Sequence, residues 1–573
     1  MTRIRKLAGV VSFFTLFSCL LAANETPPAD RIITNANIHT LDSARPRAEA
    51  LAMRQGRLIA VGAAADVLPF RGPATRVDDL AGRTVLPGLI DAHGHMAGLG
   101  SFALGRIDLS HAKSFDEVVA EVQERVRKAR PGDWILGGRW DHESWPDHQL
   151  PTHQKLSAIS PNNPVWLTRV DGHAGLANEA AMQRAGIVRE AANPPGGEII
   201  RDARGEPTGV FVDNAESLIA GKIDQPIADT VALLRKAQEL CLSVGLTGVH
   251  DAGDSPADVD AYARLRDAGE LKLRVYCMIH GQVAQEYFAT HERLIGERLT
   301  VRAAKLYADG AMGSRGAWLL APYADRPTDD HGQPYTGLAV MAPEVLRQVA
   351  ADGMKRGYQV CTHAIGDRGN RETLDAYEAA LKGVGAVTPP DHRFRVEHAQ
   401  LLSLDDIPRF RSLGVIPSMQ PTHCTSDMRW VDVRVGAERA RGAYAWASLL
   451  KTGVRIAAGS DFPVESHNPF LGIYAAITRQ DPNGSPPGGW HPDQRLTRTE
   501  ALRAFTLDAA YAAFEENEKG SLTVGKLADF IVIDRDVLTC DVRAILETRV
   551  LQTVIGGEAV FTARSTSPAG PPK

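Results

Sequence analysis

The stretch Leu86-Pro87-Gly88-Leu89-Ile90-Asp91-Ala92-His93-Gly94-His95 decides the fold. An apolar run with strand character ends in two histidines, one residue apart. Residues two apart on a strand project to the same side, so one cation can be held by both imidazoles. The run itself is read as a strand over Thr84–Ile90. Seven more apolar strand candidates follow it: Leu246–His250, Leu271–Ile279, Thr300–Leu306, Tyr358–Thr362, Phe394–Glu397, Val415–Met419 and Val454–Ala458. Helical patterns lie between most of them, at Ile227–Val244, Pro256–Ala268, Ala342–Arg356, Arg371–Lys382, Leu404–Leu413 and Arg439–Lys451. This alternation predicts βαβ units and a parallel sheet. Eight units predict a closed (β/α)8 TIM-like barrel rather than an open doubly wound sheet.

Several of these strands end in a side chain that can bind metal. The first ends at His93 and His95, the fourth at Lys305, the fifth at His363, the sixth at His398 and the eighth at Asp461. In a barrel all strand C-termini open on one face, and that face bears the active site. Taken singly, each has a plainer reading. His363 and His398 read as core histidines, Asp461 as a helix N-cap and Lys305 as a snorkelling chain. An ammonium at Lys305 beside a dication would be costly. Together, in barrel order, the six predict a metal centre. Nitrogen and oxygen donors suit Zn²⁺ first, with Mn²⁺, Fe²⁺ or Co²⁺ as alternatives.

The spacing is uneven once. About residues 96–244 separate the first strand from the second, far more than the roughly 30 residues of a βα unit. This α/β insertion is expected to form a lid or subdomain over the barrel mouth, with a helix at Phe115–Ala129 and strands at Trp134–Leu136 and Val165–Thr168. Trp134, Trp140, Trp145 and Trp166, with Phe102, either line an apolar substrate pocket or form the insertion's own core. Strand patterns also mark both chain ends, at 31–41 and 48–61 and again at 528–533 and 550–561. They predict a small composite β-sandwich, so the domains are expected at 24–83 and 515–564 for the sandwich and 84–514 for the barrel. Residues 565–573 are expected to be a disordered tail.

The N-terminus reads as an export signal over residues 1–23. Arg3, Arg5 and Lys6 precede an uncharged apolar stretch, and Ala22-Ala23 offers a cleavage site. The stretch is short for a membrane span. Ser18-Cys19 loosely resembles a lipoprotein box, which leaves lipidation at Cys19 as an alternative. The protein is therefore expected to be exported, periplasmic or secreted, with no membrane span after processing.

These motifs resemble the amidohydrolase superfamily. The carriers are Gly88-Leu89-Ile90-Asp91-Ala92-His93-Gly94-His95, Lys305-Leu306-Tyr307-Ala308-Asp309-Gly310, Thr362-His363-Ala364-Ile365-Gly366-Asp367, Arg395-Val396-Glu397-His398-Ala399-Gln400 and Gly459-Ser460-Asp461-Phe462-Pro463. Within it, the family-3 amidohydrolases typified by N-substituted formamide deformylase are most similar, from about Arg31 to Phe561. Val170-Asp171-Gly172-His173-Ala174-Gly175 and Gly525-Lys526-Leu527-Ala528-Asp529-Phe530 also match that group. The resemblance implies a barrel with a composite β-sandwich and a hydrolytic centre of one or two metal ions. It implies that His93, His95 and Asp461 bind one ion and that His363 and His398 bind the second. It also implies that Lys305, carbamylated by carbon dioxide, bridges the two.

The expected chemistry is hydrolysis of a C–N bond, in an amide, N-formyl or carbamate compound, by metal-activated water. Asp461 is expected to accept the water's proton and return it to the leaving amine. His173 and Arg315 are candidates to stabilise the oxyanion. Asp309 is read as an orienting residue beside Lys305 or a ligand histidine, or as a turn residue. His423, His250 and His280 follow other strands and are alternatives for the pocket rim, with no catalytic role assigned. An esterase or lactonase on the same centre is the second reading. A non-catalytic exported metal-binding protein is the third.

Composition agrees with a water-soluble hydrolase and excludes several classes. The chain has 573 residues, 44% hydrophobic and 23% charged, which argues against a disordered or multi-span membrane chain. The formal net charge is −5, and loss of residues 1–23 removes three cations and no acid, leaving −8. No basic surplus is available for nucleic acid. The six cysteines are dispersed without a CxxC pair, so neither a zinc ribbon nor a redox motif is expected. The partner is expected to be a small-molecule substrate, with the oligomeric state open between monomer and homo-oligomer.

Overall fold

The protein is described by a computed structural model over residues 27–224, 227–329, 331–383 and 391–564. The expected export segment 1–23 and the expected disordered tail 565–573 lie outside the described residues.

Eight parallel strands form the central sheet: β1 (Leu89–Gly94), β2 (Leu246–Asp254), β3 (Arg274–His280), β4 (Leu299–Tyr307), β5 (Gln359–Ala364), β6 (Arg395–His398), β7 (Ile416–Met419) and β8 (Ala457–Ala458). Each pairs with its neighbour in sequence order, from β1 beside β2 through to β7 beside β8. The two edge strands close on each other just past their ends, where Gly94 bridges Phe462 in parallel and Asp461 N–H donates to the His93 carbonyl at 2.7 Å. Gly94 is required there, since a Cβ would meet the Phe462 ring at 2.4 Å. A buried carboxylate reinforces the seam. Asp91 accepts from Ser460 Oγ at 2.6 Å and from the N–H groups of Ser460 and His93. The result is the (β/α)8 barrel that the strand order calls for.

The expected first strand, Thr84–Ile90, is two strands. Thr84–Pro87 pairs with Phe530–Ile533 and with Asn37–His39, and only Leu89 onward enters the barrel. Pro87 lacks an N–H to donate, and a Cβ on Gly88 would meet the Thr247 hydroxyl at 2.3 Å, so the chain changes sheet at this pair. Strands from both chain ends build the six-stranded sheet to which Thr84–Pro87 belongs, and a four-stranded sheet faces it. Ile33, Leu51 and Met53 from one sheet share a core with Val85, Phe530 and Val554 from the other. This is the composite β-sandwich.

The insertion is a second α/β body. Its six-stranded sheet includes Ile135–Trp140, Val165–Arg169, Ala174–Ala177 and Pro207–Asp213. Trp140 and Trp145 lie in the core on one side of it, and Trp134 and Trp166 in a separate core. All four are buried, so the tryptophans stabilise the insertion and do not wall the substrate space. Among the described residues no helix is long and apolar enough to cross a membrane.

Candidate metal centre

The C-terminal ends of β1, β4, β5 and β6 and the turn after β8 deliver their polar side chains to one buried spot. His93 Nε2 lies 3.2 Å from Lys305 Nζ and 3.5 Å from Asp461 Oδ1. His95 Nε2 lies 2.9 Å from the same oxygen. The imidazoles of His398 and His93 have ring centres 4.9 Å apart, and those of His398 and His363 are 4.5 Å apart. Donor atoms of His93, His95 and Asp461 all fall within 4.8 Å of one another, and so do those of His398, His423 and Asp461. Backbone geometry at the donors is unusual: Asp461 and His398 both occupy the left-handed region, with φ of 60° and 72°. Non-glycine residues adopt that region at a cost and are concentrated at functional sites.

Three of the histidines are aimed by partners. His93 Nδ1 sits 2.6 Å from Glu397 Oε2, which commits that nitrogen and frees Nε2 toward the cluster. Glu397 is wholly buried and is itself held by Arg395, with Nε 2.7 Å from Oε1. Burial would raise the Glu397 carboxyl, but Arg395 and His93 outweigh it and pull it down to about 2. His398 Nδ1 is 2.8 Å from Gln420 Oε1. His363 Nε2 faces the Gly310 carbonyl at 3.4 Å. Asp309 accepts the N–H groups of Ile365, Gly366 and Trp318 and lies 3.6 Å from His363, so it fixes the loop that carries this histidine.

The electrostatics prepare the donors for a cation. Burial, then neighbouring positive charge, pushes His93 down to about 4 and His363 and His398 well below the ordinary imidazole value. Their ring nitrogens are thus unprotonated lone pairs near neutral pH. Asp461 is buried, which would raise it, yet the surrounding imidazoles hold it well below the carboxylate range. Burial also lowers Lys305, whose ammonium has no carboxylate within ion-pair distance among the described residues. Asp461 Oδ1 and His423 Nε2 are buried with no hydrogen-bond partner. Neutral imidazoles, an ionised carboxylate and two orphaned donor atoms around one point fit a divalent cation.

Two cavities open from this cluster, of about 470 Å³ and about 80 Å³. His173, His363, His398 and Asp461 line both. His173 comes from the insertion, where its Nδ1 lies 2.7 Å from Asp213 Oδ1. Burial lowers this imidazole, but the hydrogen bond and charge of Asp213 prevail and raise it. Arg315 stands apart from the other candidates. It lines neither cavity, and its guanidinium is paired with Asp325 at 2.8 Å. Phe102 does line the large cavity. His423, to which the sequence reading gave no catalytic role, lies on the helix Pro421–Asp427 after β7, with Nε2 3.6 Å from Asp461 Oδ2. Its ring is parallel to that of His398 at 5.8 Å.

Comparison with known proteins agrees with this architecture. The profile of the amidohydrolase family matches residues 76–561. Protein LONG AFTER FAR-RED 3 of Arabidopsis thaliana is 36% identical over 559 residues, covering 94% of this chain and 93% of that protein. N-substituted formamide deformylase of Arthrobacter pascens is 30% identical over 554 residues, covering 93% and 98%. A solved structure from Pyrococcus furiosus, described as an uncharacterized metal-dependent hydrolase, superposes with a TM-score of 0.69 at 28% identity, covering 89% of this chain and 100% of that one.

Proposed function

The chain belongs to the amidohydrolase family, and from that premise we propose that it is a metal-dependent hydrolase cleaving a carbon–nitrogen bond of amide, N-formyl or carbamate type. The observation that carries the reading is the meeting of His93, His95 and Asp461 donor atoms within 4.8 Å at the mouth of the barrel. The name of the formamide deformylase favours the carbon–nitrogen bond, and that of the Pyrococcus protein favours metal-dependent hydrolysis.

In this reading His93, His95 and Asp461 hold one ion, zinc by preference, and His363 and His398 hold a second. A divalent cation there supplies Lewis acidity and brings the pKa of a water to about 7. Lys305, once it has given up its ammonium proton, attacks carbon dioxide through Nζ. The new N–C bond forms as one amine proton leaves to solvent, and the resulting carbamate is an anion placed between the two ligand sets. Asp461 takes the proton of the attacking water and passes it to the departing amine nitrogen. His173, with Nδ1 committed to Asp213, uses its second ring nitrogen to stabilise the charge developing on the carbonyl oxygen. Arg315 has no part in this, since Asp325 holds it outside both cavities.

The test is a hydrolysis panel of N-formyl, N-acyl and carbamate compounds, each matched with the ester of the same acyl group. Turnover of the nitrogen compounds that is lost on chelation and restored by zinc is expected. Ester turnover with inert amides would make the protein an esterase or lactonase. No turnover by the metal-replete protein would make it a metal-binding protein. We also place the protein outside the cytoplasm, on the reading of residues 1–23. N-terminal sequencing of protein from cell fractions should give a mature chain beginning after Ala23 in the exported fraction. A full-length cytoplasmic chain would contradict this.

A further inference from the structure

We propose that Arg106 and Arg139 form an anion subsite on the wall of the large cavity supplied by the insertion, and that the substrate carries a carboxylate or similar anionic group that docks there. The inference rests on the hydrolase reading only in taking this cavity as the substrate's.

Both arginines line the cavity that also contains His95, Lys305 and Asp461. Both stand over the Phe102 ring, with guanidinium carbons 5.4 and 6.0 Å from its centre. Arg139 is aimed by an irregular backbone. Ile135–Trp140 runs parallel to Val165–Arg169, and the pairing register slips between Gly138 and Trp140. Arg139 is the residue left over, with φ of 68°. A bulge re-aims the side chain it carries, and a non-glycine residue holds this conformation only where the surroundings impose it. Its Nη1 meets Asp108, a carboxylate 43% exposed to water, at 2.8 Å. Its Nε is buried with no hydrogen-bond partner.

Arg106 is less satisfied still. Its Nε donates to the Gly137 carbonyl at 3.3 Å, and among the described residues no carboxylate lies within 4.0 Å of its guanidinium. Burial pushes its pKa down, as expected for a cation that has lost water without gaining a full counter-charge. Glu216 is the acid that acts on it, and it faces the same cavity. Burial, then Asp213 and Asp171, pushes the Glu216 carboxyl well above the ordinary carboxylate range. Two guanidiniums on one wall complement a carboxylate, which accepts from both. A structural role for the arginines alone would leave the buried Arg139 Nε unexplained.

The test uses the full-length, zinc-loaded protein and a series of N-formyl amino acids of increasing chain length. Each is paired with the neutral carboxamide of the same length. The carboxylate member of the best pair should have the higher kcat/KM, by about 10- to 100-fold, the range of one or two charge-assisted hydrogen bonds. That ratio should fall by about tenfold or more in Arg106→Gln and in Arg139→Gln. Equal kcat/KM within every pair, or a carboxylate preference that survives in both variants, would overturn the subsite and leave the hydrolase reading intact. If no pair is turned over, N-formyl amino acids are not its substrates, and calorimetry with hexanoate and hexanamide decides the subsite alone. Hexanoate should bind and hexanamide should not, and the double variant should lose hexanoate. No hexanoate binding to the wild type, or binding that persists in the double variant, would overturn it, the latter pointing to a carboxylate on the metal.

Discussion

Asp461 faces histidines with both of its oxygens, Oδ1 toward His93 and His95 and Oδ2 toward His423. Its ionised state follows from that crowding, so the residue is placed to take a proton as well as to bind a cation. Asp461→Asn should lower kcat by about 10²- to 10⁴-fold, the usual worth of a positioned acid–base group. Metal content should be measured on the same sample, because near wild-type turnover by the metal-loaded variant would reject the proton-transfer role. Glu397 acts one step back, through His93. Glu397→Gln should weaken zinc affinity by about 10- to 100-fold in competition with a chelator, and unchanged affinity would leave Glu397 with a packing role. The donors His93, His95, His363, His398 and Asp461 were legible in the sequence because each stands at the end of a strand whose direction is fixed by the barrel. His423 was not, since it lies two residues into a helix after β7, where a lone histidine has no period to mark it. Glu397 was visible only as a motif neighbour and Asp213 not at all, because their contacts with His93 and His173 join residues 304 and 40 positions apart. Arg315 misled for the converse reason: a guanidinium suits an oxyanion, and its partner Asp325 is apparent only in space.

At the scale of elements, the insertion divides its aromatic residues between two duties. Phe102 faces the cavity, while Trp145 packs with Phe115 and Trp140 and donates Nε1–H to the Ala112 carbonyl at 3.1 Å. Trp145→Ala should therefore cost about 3–5 kcal/mol of stability in denaturant unfolding, with KM for small substrates little changed. A large rise in KM at unchanged stability would return Trp145 to the pocket wall. The alternation of strands and helices was readable because apolar strands of four or more residues stand out against helical periodicity. The bulge at Arg139 was not, because it depends on pairing with a strand more than two dozen residues away. Nor was the change of sheet at Pro87-Gly88, where one continuous apolar run serves two sheets.

At the scale of the molecule, the sandwich is fastened to the barrel by a buried ion pair. Arg274 on β3 donates to Asp529 through Nε at 2.6 Å and Nη2 at 2.9 Å, and the Gly556 N–H donates to the same carboxylate. Burial would raise Asp529, but Arg274 prevails and holds it below the ordinary carboxylate value. Because the folded-state value lies below the unfolded one, this contribution is fully present above about pH 4 and is lost as pH falls through the folded value. Asp529→Asn strands a buried guanidinium and should cost about 3–5 kcal/mol near neutral pH. The difference from wild type should narrow on acidification, and a gap that widens in acid would contradict the assignment. The return of the chain's end to its beginning was legible as matching strand patterns, whereas this fastening was not, since Asp529 reads there as one residue of a strand edge.

The claim that His93, His95 and the sequence-distant Asp461 share a cation is tested most directly by anomalous diffraction at the zinc edge from crystals of the zinc-loaded protein. A peak about 2.0–2.2 Å from the ring nitrogens of His93 and His95 and from an Asp461 oxygen is the result the account predicts. A fully loaded crystal whose only anomalous peaks lie away from these three residues would contradict it.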